Sequence, residues 1–156
     1  MSVHLNRQFV TFLMGDELYG IDIFNTQEII RIPDITPIPN SLDYVEGIIN
    51  LRGDIIPVIN LEKRFRMVTG IKDKKEIIII RSQHTKLGIV VNKVFRVIQV
   101  EDKEVVAPPS ILSGIEEEYI QGVTRIEDGK LVILMNIEKM FFEDDLKNLQ
   151  KNLEDA

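Results

Sequence analysis

The chain has no cysteine, no tryptophan and only two histidines among its 156 residues. Without cysteine there is no disulfide framework, no thiol nucleophile and no thiolate metal site, which fits a reducing compartment. His4 lies in a polar leader and His84 in a predicted turn, with no paired spacing on a helix, so no metal site is expected. The apolar runs, such as Ile77 to Ile80, fall far short of the ~20 residues that span a bilayer. The N-terminus lacks the basic and apolar zones of a signal peptide, and a cytosolic protein without direct membrane insertion is expected. No G-x-S-x-G elbow, G-x-x-x-x-G-K-[ST] loop or G-x-G-x-x-G turn occurs, so the usual signals of elbow hydrolases and nucleotide cradles are missing. No cofactor is implied. Aromatic residues make up 6%, with no stacking pair in a basic strand, and the net charge is -6. Both weigh against a nucleic-acid face. The runs Glu116-Glu117-Glu118 and Glu143-Asp144-Asp145 read as solvated surface, although carboxylate-only catalysis stays formally open.

What the chain does have is β-branched residues broken by turn residues, with 44% hydrophobic content. That is enough to bury a core in one domain or two small lobes. The most informative stretch runs from Val45 to Leu61. Val45–Leu51 and Ile55–Leu61 read as strands around a tight turn over Arg52, Gly53 and Asp54, a hairpin in which Gly53 takes positive φ. Pro57 donates no N–H and belongs on a sheet edge or bulge, so one edge is expected to stay open. Gly47, Gly53, Pro57 and Gly129 are the residues assigned to structural turns.

Upstream, Phe9–Met14 and Leu18–Ile23 form a first predicted hairpin. Asn25 then caps a short predicted helix, with Glu28 completing a capping box ahead of Ile29 and Ile30. Pro33, Pro37 and Pro39 keep Ile32–Asn40 irregular and extended. A helical turn follows from Asn60 or Leu61 to near Met67, then a charged loop over Thr69–Lys75. Ile77–Arg81 reads as a strand buried on both sides, Gln83–Lys86 as a turn, and Leu87–Val91 and Val94–Val100 as further strands. Ala107–Ser110 breaks the chain, with Ser110 capping a turn through Leu112. Tyr119–Ile126 and Leu131–Met135 form the last hairpin. The tail from Glu143 spaces Leu146, Leu149 and Leu153 as a short helix.

An internal repeat links these pieces. Tyr44-Val45-Glu46-Gly47 matches Tyr119-Ile120-Gln121-Gly122, and Val58-Ile59-Asn60-Leu61-Glu62-Lys63 matches Leu134-Met135-Asn136-Ile137-Glu138-Lys139. Gly20-Ile21 corresponds to Gly88-Ile89, each taken to open a return strand. Self-similarity at half the chain length predicts an all-β fold of two packed five-stranded barrel lobes with short helices and a helical C-terminal tail. The lobes are placed at residues 1–70 and 71–142, with exchange of strands between them allowed, and the tail at 143–156.

The set Gly47, Asn50, Leu51, Arg52, Gly53, Pro57 and Leu61 resembles the signature of the CheW family, adaptors that couple chemotaxis receptors to their histidine kinase. The resemblance runs from about Phe9 to Phe141. It implies SH3-like barrels, no catalysis, and a cytoplasmic protein recruited to membrane receptor arrays, where it holds the chemoreceptor tip and the kinase's regulatory domain. By alignment with the family pattern, the receptor-binding positions are Ile23, Thr26, Glu28, Ile29, Asn50, Arg52, Val94 and Phe95, whereas the kinase-facing set is unknown. From the residues alone, Arg52 is either a carboxylate clamp with Asn50 beside it or an ordinary turn residue. Glu28 is a cap acceptor or a recognition charge, and the aliphatic positions are core or the lining of a groove for an amphipathic helix. A stand-alone copy of the kinase regulatory domain and a small barrel that binds a ligand are the alternative readings.

Overall fold

Among the described residues, β-branched and other strand-forming stretches build ten strands and two one-turn helices. The computed structural model describes residues 6–65, 74, 76–82, 84–107 and 119–141. In order they are β1 (Asn6–Met14), β2 (Glu17–Asp22), β3 (Thr26–Arg31), β4 (Val45–Leu51), β5 (Asp54–Asn60), α1 (Leu61–Arg64), β6 (Glu76–Ser82), β7 (Thr85–Val91), β8 (Lys93–Glu101), β9 (Ile120–Arg125), β10 (Leu131–Met135) and α2 (Ile137–Met140). They form two five-stranded sheets, ordered β8-β1-β2-β10-β9 and β3-β6-β7-β5-β4.

The two orders are the same pattern with the repeats interchanged. In each sheet a hairpin from one repeat, β1–β2 or β6–β7, sits between three strands of the other. The sheets therefore do not divide at residue 70: β3 to β7 make one, and strands from both ends of the chain make the other. The join is a short parallel ladder in both, β2 with β10 and β7 with β5. Gly20 opposes Leu134 and Gly88 opposes Val58, so both glycines lie inside return strands and not at their openings. Each sheet also curls toward closure. The segment after β3 returns to β4 through Thr36 and Ile48, and the segment after β8 returns to β9 through Val106 and Val123.

Burial explains why Ile77–Ile80 is apolar throughout. Ile77 and Ile79 fill the interior of the second sheet with Ile49, Ile56, Val58 and Val90. Ile78 and Ile80 face the other way, into a core shared with Val10, Phe12, Met14, Tyr19 and Ile21 of the first sheet. Phe9, Leu18, Ile98, Val100, Val132 and Leu134 form the first sheet's own interior. Alternation along a strand thus feeds two cores instead of a core and solvent. Thr11, fully buried opposite the bulge in β8, has its hydroxyl satisfied by the Arg96 backbone, donating to the carbonyl at 2.5 Å and accepting from the N–H at 3.1 Å.

Several local expectations are corrected. Asn25 does not start a helix: Ile23–Asn25 is a single 3₁₀ turn capped by Asp22, whose carboxylate accepts from Phe24 N at 3.0 Å. Thr26–Arg31 then alternates in burial and pairs with β6, and a tertiary ladder outweighs the local capping pattern. Gly47 and Pro57 are strand residues. Gly47 sits at a bulge in β4 with φ 147°, where a Cβ would stand 2.2 Å from the Thr36 carbonyl oxygen. Pro57 lies in an interior strand, not at an edge. Its partner Ile48 exchanges both backbone bonds with Thr36, so the Ile48–Pro57 pair is of the non-hydrogen-bonded kind. The β5–β7 ladder begins only at Val58, so the missing N–H falls at the start of that ladder. Gly53 and Gly129 do lie in turns, with φ 91° and 78°. Lys86 belongs to β7, and a 3₁₀ turn at Asp102–Glu104 was not foreseen. The expectations for the end of the first helical turn, for the loop before β6 apart from Lys74, for Ser110–Leu112 and for the tail from Glu143 lie outside the described residues.

The two one-turn helices repeat one cap. Asn60 Oδ1 accepts from Lys63 N at 3.2 Å, and Asn136 Oδ1 from Lys139 N at 3.2 Å. The same asparagines donate their backbone N–H to Tyr44 and Tyr119, both at 2.8 Å. Arg64, at the end of α1, places its guanidinium 5.4 Å from the Tyr44 ring and 5.6 Å from the Tyr119 ring, between equivalent residues of the two repeats.

Gly47→Ala should lower unfolding free energy by about 2–4 kcal/mol, because backbone blocks the new methyl and φ is unfavourable. Gly53→Ala, with open space around it, should cost only about 1 kcal/mol; urea titration of both variants checks the order. Tyr19 is 2% exposed, and burial, with Glu17 and Glu62 adding to it, raises its phenol pKa well above the ordinary 10. A raised folded pKa means full stability below pH ~10 and loss as pH climbs beyond it. Urea midpoints measured between pH 8 and 11.5 should fall at the alkaline end, less steeply in Tyr19→Phe.

Candidate functional site

The β4–β5 turn consists of Arg52 and Gly53, with Leu51 opposite Asp54. Both turn residues have positive φ, 50° for Arg52 and 91° for Gly53, as a type I′ turn demands. Glycine adopts this at no steric cost; arginine does not, at roughly 1–2 kcal/mol. Asn50 steadies the turn from within, its Oδ1 accepting from Gly53 N at 3.0 Å. Asn50 therefore positions the tip as much as it presents an amide.

The Arg52 guanidinium donates through Nη2 to Glu28 Oε1, an ion pair between the hairpin tip and β3. β3 and β4 are the two ends of the second sheet, so this pair bridges the same seam that Thr36 and Ile48 close further along. Glu28 is a strand residue facing a cation, which excludes the cap role. Arg52 remains 68% exposed and keeps donors for another carboxylate.

The other candidates gather elsewhere. Cross-strand partners point to one side of a sheet. Thr26 opposes Ile80 and Ile29 opposes Ile78, whereas Glu28 opposes Ile79. The bulge in β3 thus sends Thr26 and Ile29 toward the shared core and Glu28 toward the second sheet's interior. On β8, Val94 opposes Phe12, also a shared-core residue. Ile23 and Val94 are half-buried against that core, while Ile29 and Phe95 are each 42% exposed. Glu76 ties the two edges together: it opposes Arg31 of β3 and its carboxylate accepts from Val94 N at 2.9 Å. The structure accordingly yields an apolar rim from Ile23, Thr26, Ile29 and Val94, and a separate charged tip from Glu28, Asn50 and Arg52. Phe95 falls in the β8 bulge.

Among the exposed apolar residues outside the candidate set, two adjoin the rim along the chain. Val97 is 51% exposed and opposes Val10, on the shared-core side beside Val94. Its equivalence to Ile29, visible once the repeat is extended to the third strands, would have identified it. Phe24 is 93% exposed on the 3₁₀ turn. Two clefts lie in the first sheet, one of about 330 Å³ lined by residues including Arg96 and Glu127, and one of about 490 Å³ lined by residues including Val106 and Leu131. None of the eight candidates lines either. Among the described residues no group of three His, Asp or Glu side chains is placed to hold a metal, and no helix is long and apolar enough to cross a membrane.

A family model described as a CheW-like domain matches residues 8–144. The chain belongs to the CheW family. It is 42% identical over 147 residues to the chemotaxis protein CheW of Treponema pallidum, an alignment covering 91% of this chain and 86% of that protein. The chemotaxis protein CheW of Thermotoga maritima is 30% identical over 139 residues, covering 87% and 88%. The crystal structure of the scaffolding protein TtCheW from Thermoanaerobacter tengcongensis superposes with a TM-score of 0.78 at 34% identity, covering 90% of this chain and 91% of that one. In this CheW-family chain the seven signature residues all fall on β4, its turn, β5 and the first residue of α1.

Arg52→Asn should separate turn geometry from side-chain chemistry. Asparagine tolerates the left-handed conformation better, offsetting the roughly 0.2–1 kcal/mol of a partly exposed ion pair. Its urea stability should stay within ~0.5 kcal/mol of the wild type. An Arg52→Ala, Glu28→Ala double-mutant cycle should give a coupling of about 0.2–1 kcal/mol that shrinks with added salt.

Proposed function

We propose that this chain is a non-catalytic adaptor that couples methyl-accepting chemotaxis receptors to the chemotaxis histidine kinase in cytoplasmic arrays at the membrane. The observation that carries the reading is Arg52. A charged residue is held in a disfavoured backbone conformation at an exposed tip, paired to Glu28, in a CheW-family fold. An unfavourable conformation kept at a surface turn supports a binding role. The apolar rim supplies the second component: an amphipathic helix of the receptor tip lays its stripe along Ile23, Thr26, Ile29, Val94 and Phe95, while Arg52, with Asn50 and Glu28, meets its polar flank.

The kinase's regulatory domain occupies a different face, whose residues are not assigned. Scaffolding then acts through two physical effects. Joint binding raises the effective concentration of kinase at the receptor, and a bias in one partner's conformation alters the other's through the coupling free energy between sites. No cofactor or bond-making step enters.

Arg52→Ala combined with Ile29→Asp, two changes at exposed positions, should weaken binding of a receptor-tip fragment about tenfold or more while leaving the melting temperature nearly unchanged. In reconstituted receptor arrays the double variant should fail to support kinase activation. Full activation with that variant would overturn the assignment of this surface.

A further inference from the structure

We propose that Phe24 is an additional docking residue for the receptor helix, an inference that rests on the adaptor reading above. At 93% exposure its ring contributes almost nothing to the fold. The turn that displays it is nonetheless braced from three sides. Asp22 caps the Phe24 N–H at 3.0 Å and is itself paired with Arg7 at 3.1 Å. Asn25, on the other flank, donates through Nδ2 to Glu138 Oε1 at 2.9 Å, and Ser82 donates to Glu138 Oε2 at 2.6 Å. Ile23 packs against the shared core. The backbone on both sides of Phe24 is therefore tied to β1, β6 and α2, while the ring points into solvent.

An aromatic side chain with few rotatable bonds, displayed on a fixed backbone and ringed by polar groups, has the form of an interface anchor. The occupant follows from the collar. Arg7 matches the Asp22 charge, whereas Glu138 is held by the neutral donors of Asn25 and Ser82 and keeps its own, so the collar offers an apolar contact beside one carboxylate, which suits an apolar stripe with a basic flank. Phe24 also stands between Ile23 and Thr26, two positions of the proposed rim, so an apolar stripe long enough to cover the rim extends over it. Glu138 acts as a positioning residue for the ring.

The test is a titration of the full chain with a helical receptor-tip fragment, alongside thermal melts. Phe24→Ala should weaken binding about tenfold or more with an unchanged melting temperature, and Phe24→Leu should retain most of the affinity. Glu138→Gln should weaken binding by a smaller factor without touching the ring. Wild-type affinity in Phe24→Ala, when Ile29→Asp has lost binding, would overturn the inference and leave the adaptor reading standing. Failure of the wild-type chain to bind the fragment would remove both. Loss of binding to phosphatidylglycerol vesicles in Phe24→Ala, with receptor affinity unchanged, would reassign the ring to a membrane and also overturn it.

Discussion

The structure depends on one constraint: neither sheet is complete without a hairpin from the other repeat. β1–β2 is flanked by β8 and β10, and β6–β7 by β3 and β5. Unfolding either sheet uncovers the inner face of the other, because the shared core draws side chains from both. The crossovers that carry the chain between sheets are correspondingly pinned. Asn92, between β7 and β8, accepts from Gly15 N at 2.8 Å through Oδ1 and donates its own N–H to Leu13 O at 3.1 Å. Asn25, at the β2–β3 crossover, reaches Glu138 on α2. Edge strands β3 and β8, the ones that follow these crossovers, are where the apolar rim lies, so the proposed docking surface sits on backbone that both sheets hold in place.

That arrangement also explains the kind of surface the chain offers. Interior room is filled by three cores of interdigitated aliphatic residues, and polar exceptions such as Thr11 have their hydrogen bonds within reach. What remains at the surface are strand edges, hairpin tips, crossover turns and the two open clefts of the first sheet. Such features suit extended contact with another macromolecule better than enclosure of a small substrate.

How much of this was legible in the sequence follows from how local each determinant is. The Arg52-Gly53 hairpin was legible because turn chemistry is settled by a few adjacent residues, and the repeat because Asn60 and Asn136 cap identical one-turn helices. The exchange of hairpins was not, since β5 and β10 carry the same apolar alternation and nothing in either names β7 or β2 as its neighbour. Thr26–Arg31 misled for a related reason. Asn25 and Glu28 have capping-box spacing, and only the tertiary ladder to β6 decides for a strand. The split of the candidate site into rim and tip was likewise hidden, because it arises from the β3 bulge that turns Glu28 away from Thr26 and Ile29. Phe24 and Ile23 are adjacent and both apolar, yet one is half-buried and the other almost bare.

Duplication alone would give two equivalent docking faces, and the seams show why it does not. In the second sheet, Glu28 on the third strand of its repeat meets Arg52 at the hairpin tip. In the first, the equivalent strand carries Arg96 and the tip carries Glu127, so the charges are reversed, and both line an open cleft of about 330 Å³. Arg96 instead lies 5.3 Å from the Phe95 ring. The helices diverge in the same way, Arg64 being matched by Met140, with a guanidinium beside two tyrosines on one side and a buried thioether on the other. Backbone symmetry thus sets two similar frames, and a handful of substitutions at the seams exchanges the positions of acid and base between them. The two frames are then distinct surfaces on one small fold whose sheets are built alike.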